Sequence, residues 1–202
     1  MSVILHKNDL PSDVDLGHVV AVDTETMGLK QSRDRLCVVQ LSSGDGTAHL
    51  VQMADRSFDC PNLKALIANP DVTKIFHFAR FDVAVMKKYL EVDCPNVYCT
   101  KIASRLVRTY TDKHGLKHLC RELLGVELSK QQQSSDWGAV ELSTEQLNYA
   151  ASDVYYLHRL KATLDMMLER EGRTDLAQAC FDFLETRAAL DLEGWNYDIF
   201  EH

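Results

Sequence analysis

The apolar run Val19-Val20-Ala21-Val22 leads directly into Asp23-Thr24-Glu25. Two carboxylates spaced two apart at the end of a strand project from the same face of it. The acids that could work with this pair lie far off in the chain, at Asp82 and at Asp153, with Tyr149 one helical turn before the latter. A fold that uses them together has to bring three separated segments to one place, because no single loop can supply the set.

The rest of the chain reads as strands first and helices later. Leu36–Leu41 and Thr47–Val51 are expected to be strands joined by the turn Ser43-Gly44-Asp45-Gly46, forming an antiparallel hairpin. A helix is expected from Leu63 to Ala68, a buried strand from Lys74 to Phe78, a helix from Val83 to Leu90 and a short strand from Asn96 to Cys99. From Lys101 the apolar spacing becomes helical, with one stripe at Ile102, Leu106 and Val107 and a second at Leu116, Leu119, Cys120, Leu123 and Leu124, ended by Gly125. Ser143-Thr144-Glu145-Gln146 has capping-box form and predicts the start of a long helix with Leu147, Ala150, Ala151, Val154, Leu157 and Leu164 on its core side. A last helix is expected from Thr174 to Leu190. This order predicts an α/β fold, a mixed sheet flanked by helices.

The 202 residues fit a single domain over 1–202, with a C-terminal helix and an aromatic tail from about 172 to 202. The hydrophobic content of 46% is enough for a sizeable core. No apolar stretch approaches the roughly 18–20 residues of a membrane helix. Met1–Lys7 is too short and too weakly basic for a signal peptide. Six cysteines at irregular intervals read as reduced thiols, and the expected location is cytoplasmic. The net charge of −8 is an awkward sign for a polyphosphate partner. Bound divalent metals invert the local charge of a carboxylate site, however. Lys101, Arg105, Arg108, Lys113, Lys117 and Arg121 also form a basic stretch interrupted by one acid, Asp112. That stretch is either a solvated helix face or a local phosphate-attracting surface.

Carboxylates are hard oxygen ligands that suit Mg²⁺ or Mn²⁺ rather than zinc. Taken singly, Asp82 reads as a helix cap, and Tyr149 with Asp153 reads as a helix-surface pair. Cys94, Cys99, His114 and His118 have near zinc-finger spacing, but helical stripes run through and beyond the intervening segment, so these residues are expected to be structural.

In combination, Asp23-Thr24-Glu25, His77-Phe78-Ala79-Arg80-Phe81-Asp82 and Tyr149-Ala150-Ala151-Ser152-Asp153-Val154 resemble the three motifs of DEDD 3′→5′ exonucleases, with Tyr149 marking the DEDDy branch. Gln132-Gln133-Ser134-Ser135-Asp136-Trp137 is similar to a segment of ribonuclease D. The resemblance implies an RNase H-like (DnaQ-like exonuclease) fold and two divalent metal ions, Mg²⁺ or Mn²⁺. It implies that Asp23, Glu25 and Asp153 hold the first metal, that Asp23 bridges to the second, and that Asp82 acts on the second through water. Such metal pairs, about 3.5–4 Å apart, activate a water and stabilise the leaving 3′-oxygen. Tyr149 would orient or deprotonate that water. Asp23 to Leu29 also resembles oligoribonuclease, in which a leucine wedges between the last two bases; Leu29 is the matching position.

Thr24, Leu29, His77, Arg80, Arg105 and Arg108 are the candidates for substrate contact. The short length after the third motif most resembles the nano-RNase C group. That likeness implies short single-stranded RNA or dinucleotides as substrates and a homo-oligomer, as in the ring-shaped octamers of that group. Trp195, Tyr197, Ile199 and Phe200 in the tail are either a subunit contact or packed on their own domain. Two other functions fit the residues: a general ribonuclease D-like trimmer of RNA or DNA 3′ ends, and a non-catalytic RNA-binding module.

Overall fold

The computed structural model describes residues 1–128, 135–195 and 197–201. Among the described residues, six strands form one mixed sheet: β1 (Ser2–Lys7), β2 (Val19–Thr26), β3 (Leu36–Ser42), β4 (Thr47–Gln52), β5 (Thr73–Phe76) and β6 (Val97–Cys99), in the order β1-β4-β3-β2-β5-β6. The β2–β3–β4 centre is antiparallel, while β1 on β4 and β5–β6 beside β2 run parallel. The expected hairpin is thus present. The segment Ser2–Lys7, read from sequence only as unlike a signal peptide, is an edge strand. It pairs along its whole length with β4.

The helices are α1 (Pro61–Ala68), α2 (Ala79–Tyr89), α3 (Thr100–Val107), α4 (Leu116–Leu119), α5 (Thr144–Tyr155), α6 (Leu157–Arg170), α7 (Thr174–Asp182) and α8 (Leu184–Leu192). The long helix expected after Ser143 is two segments that meet at Tyr156, whose φ of −106° and ψ of −4° loosen the helical turn. The predicted capping box is formed, with Gln146 N donating to Ser143 Oγ at 3.2 Å and Ser143 N donating to Gln146 Oε1 at 2.9 Å. The helix expected over 174–190 likewise divides at Phe183 into α7 and α8. The stripe at Leu116–Leu124 continues from α4 into a π-helical turn, Cys120–Leu124, which Gly125 ends in the left-handed region at φ 69°.

The strand–helix alternation fixes which layer each helix joins. Thr24 points to the α2 side, where its hydroxyl donates to Asp82 Oδ1 at 2.6 Å. Asp23 and Glu25, one residue to either side, point to the opposite face, which α5 covers. The core between these layers is built from Val20, Val22, Val39, Leu41, Leu50 and Ile75 of the sheet and Val83, Met86, Ala150, Val154 and Leu157 of the helices, all buried.

Candidate active site

Strand β2 is buried over Val20–Val22 and half-buried at Asp23 and Glu25. After Glu25 the register with β3 shifts, so that Glu25 opposes Val38 and Thr26 opposes Leu36. A bulge of this kind bends the ladder and re-aims the residues beside it. The chain then turns through Met27–Arg35. Thr26 Oγ1 donates to the Gly28 carbonyl, and the buried Asp34 accepts from Lys30 N at 3.0 Å. Gly28 is required here, since a Cβ would lie 2.4 Å from Asp34 Oδ2. This packed loop leaves Leu29 at its tip, 86% exposed.

Asp23 and Glu25 meet Asp153 from α5, and one carboxylate oxygen of each lies within 4.8 Å of the others. Asp82 approaches from the first turn of α2 and is buried. Desolvation, then Asp82, Asp153 and Glu25, hold the Asp23 carboxyl well above the usual range. Desolvation, then Asp153 and Asp82, push Glu25 up to about 9. Asp82 rises to about 7, mainly by burial and against the opposing pull of the Thr24 hydrogen bond, and burial raises Asp153 to about 7. Like charges buried together cannot all ionise unless a cation joins them. The donor set is all carboxylate oxygen, which fits Mg²⁺ or Mn²⁺.

Asp23, Glu25 and Asp153 line a cleft of about 660 Å³, whereas Asp82 is buried outside its lining; the volume is in the range of ligand sites. Tyr149 lines it, half-buried, with its ring 6.1 Å from that of Trp137. Burial, then the negative fields of Asp153, Glu25 and Asp23, raise the phenol further above its ordinary value, so it keeps its proton. His77 also lines the cleft, and burial followed by the nearby Lys101 lowers it to about 3. The Thr100 hydroxyl gives its one proton to the Phe76 carbonyl at 3.0 Å. It therefore accepts from His77 Nδ1–H at 2.9 Å, which leaves Nε2 as an acceptor.

The six substrate candidates divide. Thr24, Leu29 and His77 line the cleft. Arg80 does not. Its guanidinium faces α8, where it makes a two-point pair with Asp191 at 2.6 and 2.7 Å. Arg105 is exposed on α3 but outside the cleft lining. Arg108 is fully buried. It follows the last residue of α3 with non-helical φ −110° and ψ 57°. The side chain therefore turns inward and bonds Ser104 Oγ, the Lys113 carbonyl and Glu122. Arg108→Ala is expected to cost about 3 kcal/mol, because it empties a fully buried site and leaves the Ser104 hydroxyl and the Lys113 carbonyl without their donor. That corresponds to about 6–12 °C in Tm for a chain of this size. KM should stay unchanged; a KM effect without loss of Tm would return Arg108 to the site.

Among the described residues, the basic side chains that line the cleft are Lys101, Lys117 and His118, joined by the exposed side chains of Phe78 and Met27. Lys101 and Lys117 belong to the basic stretch seen in sequence. Nothing in their spacing separates them from Arg105 and Arg108, because the separation depends on where α3 ends. Of the ribonuclease D-like segment, Gln132–Ser134 lie outside the described residues, whereas Ser135 and Trp137 line the cleft. The zinc-like residues do not gather: Cys94 and Cys99 are buried in the core, His114 bonds Ser104 Oγ at 2.9 Å, and His118 faces the cleft.

A mixed sheet carries Asp23 and Glu25 on β2, and helices bring in Asp82, Asp153 and Tyr149, the arrangement that the DEDDy resemblance implies. A 3′-5′ exonuclease family model matches residues 6–169, and the chain belongs to that family. Among solved structures, Brucella melitensis NrnC bound to pGG is 57% identical with a TM-score of 0.96, covering 100% of this chain and 99% of that one. The same Brucella protein with bound Mg²⁺ is 56% identical with a TM-score of 0.95, covering 100% of both chains. Ribonuclease D of Acidiphilium cryptum is 39% identical over 157 residues, which is 77% of this chain but 39% of that protein. The chain thus spans about two-fifths of the length of the ribonuclease D relatives it matches.

Proposed function

We propose that this chain is a metal-dependent 3′-5′ exoribonuclease that hydrolyses short oligoribonucleotides, down to dinucleotides, and releases 5′-mononucleotides. The observation that carries the reading is the convergence of Asp23, Glu25 and Asp153 on the floor of a cleft whose rim is both basic and apolar. The likeness to a solved protein bound to pGG, over the full length of both chains, supports a short substrate.

Asp23, Glu25 and Asp153 would hold divalent metal, with Asp82 acting through water, and the metal would supply an activated water and charge stabilisation for the leaving oxygen. The chain's own residues do the rest. Tyr149, with its proton in place, holds the attacking water by a hydrogen bond. His77 offers Nε2 to a sugar hydroxyl. Lys101, Lys117 and His118, which line the same cleft, face the phosphates, and the exposed Leu29 wedges against a base. Tyr149→Phe is expected to lower kcat by about 10²-fold, the low end of general acid–base effects, with metal affinity kept. An equal loss in both would make Tyr149 a packing residue.

The test is digestion of 5′-labelled RNAs, from two nucleotides to about twenty, with Mg²⁺ or Mn²⁺ and with chelator. Faster loss of the dinucleotide than of the long RNA supports the proposal. Trimming of long RNA that leaves dinucleotide intact points to a general trimmer, and metal-independent binding without cleavage points to a binding module. The same reading places the enzyme in the cytoplasm as one domain that assembles into a homo-oligomer. Trp195, Tyr197, Ile199 and Phe200 are exposed even though Phe200 packs on Phe183 at 6.2 Å, which suits a subunit contact. A monomer mass by light scattering would refute the assembly.

A further inference from the structure

The sheet face that carries Asp23 and Glu25 holds another polar side chain that packing does not explain. Gln40 sits in β3 directly opposite Asp23 in the antiparallel ladder. Opposed residues leave the sheet on the same face, with Cβ atoms about 4.5–5.5 Å apart. On its other side Gln40 opposes the buried Leu50 of β4, and α5 covers all three strands. Gln40 is wholly buried, and among the described residues neither its amide nitrogen nor its amide oxygen has a hydrogen-bond partner.

An amide buried without partners costs free energy, and an apolar side chain of the same shape would be neutral or better in its place. The flanking positions do not supply a partner. Val38 is apolar, and the Ser42 hydroxyl already donates to the Thr47 carbonyl at 2.6 Å. Asp23 is the polar neighbour across the ladder. Its carboxylate has about four lone-pair sites, more than metal ligation uses. Metal-binding carboxylates are themselves held by hydrogen bonds from surrounding groups.

We infer that Gln40 is a positioning residue for Asp23: in the metal-loaded site its amide N–H donates to the Asp23 carboxylate and fixes the plane in which that carboxylate meets the cation. The inference rests on the reading of Asp23, Glu25 and Asp153 as a divalent-metal site.

Gln40→Met keeps length and shape but removes both polar atoms. Calorimetric titration with Mn²⁺ alone and melting of the metal-free protein separate its roles. The dissociation constant for Mn²⁺ should rise about 10-fold or more, the usual effect of losing such a partner. The metal-free Tm should stay level or rise, since an unpaired buried amide is gone. Unchanged Mn²⁺ affinity with a raised Tm overturns the inference. Wild-type protein that takes up no Mn²⁺ overturns the metal-site reading itself, and the inference with it. If the variant does not fold, the wild type decides: the Gln40 side-chain amide resonance should shift on titration with Mg²⁺, and a resonance that stays in place overturns the inference.

Discussion

Asp153→Asn should abolish hydrolysis while making the metal-free protein more stable. Asp153 is one of three carboxylates whose oxygens lie within 4.8 Å of each other. Replacing it with an amide removes a charged ligand from the cluster. Metal-ion catalysis is worth several kcal/mol, and about 1.4 kcal/mol is tenfold, so a loss of about 10³-fold or more is expected. The second half of the prediction follows from the same crowding. After burial, Asp153 is the largest influence holding Glu25 at about 9. Without that charge Glu25 ionises more readily, and the fold carries less repulsion at neutral pH. Activity and melting temperature should thus move in opposite directions. A variant that loses both has lost its packing, and one that keeps activity would remove Asp153 from the chemistry.

The metal-free protein should lose stability as pH rises from about 4 to about 9, and divalent metal should restore it. Free carboxylates titrate at about 4. In the folded chain Glu25 stands at about 9, Asp82 and Asp153 at about 7, and Asp23 well above its ordinary value. Between those limits the folded state binds more protons than the unfolded state, so stability falls with rising pH. Below about pH 4 both states are protonated and the cluster contributes no slope. A divalent cation replaces the missing protons, so the rise in Tm on adding Mg²⁺ or Mn²⁺ should be small at pH 5 and large at pH 8.5. At a metal concentration of about 100 times Kd the gain is about 2.7 kcal/mol, or about 5–11 °C. The comparison with and without metal isolates the cluster from every other titrating group. A metal-induced shift that is flat or shrinks as pH rises would show that the carboxylates are already ionised in the folded chain.

The two predictions draw on different depths of information. That Asp23 shares a face with Glu25, and Tyr149 a face with Asp153, was legible from strand and helix periods; that these two pairs and Asp82 belong to one site was implied only by the resemblance to DEDD exonucleases. The Ser43–Gly46 hairpin and the Ser143 capping box were legible for a similar reason: their turn and cap chemistry lies within a few residues. The strand Ser2–Lys7 was not, since its partner β4 lies some forty residues on and its own residues are half-exposed. Nor was the sorting of the arginines. Arg105 and Arg108 look alike as neighbours of the motifs, yet the end of α3 falls between them and turns Arg108 into the core.

The sequence by itself determined that Asp23 and Glu25 share one strand face, that carboxylates of this kind prefer hard divalent metals, and that a mixed sheet with helices carries them. The tertiary structure alone decided how closely the carboxylates approach, how far each is driven from its ordinary titration, which cations face them, and that Gln40 lies beside Asp23. Residue type and local period set chemistry and facing, whereas distance and desolvation arise only when segments far apart in the chain are packed together.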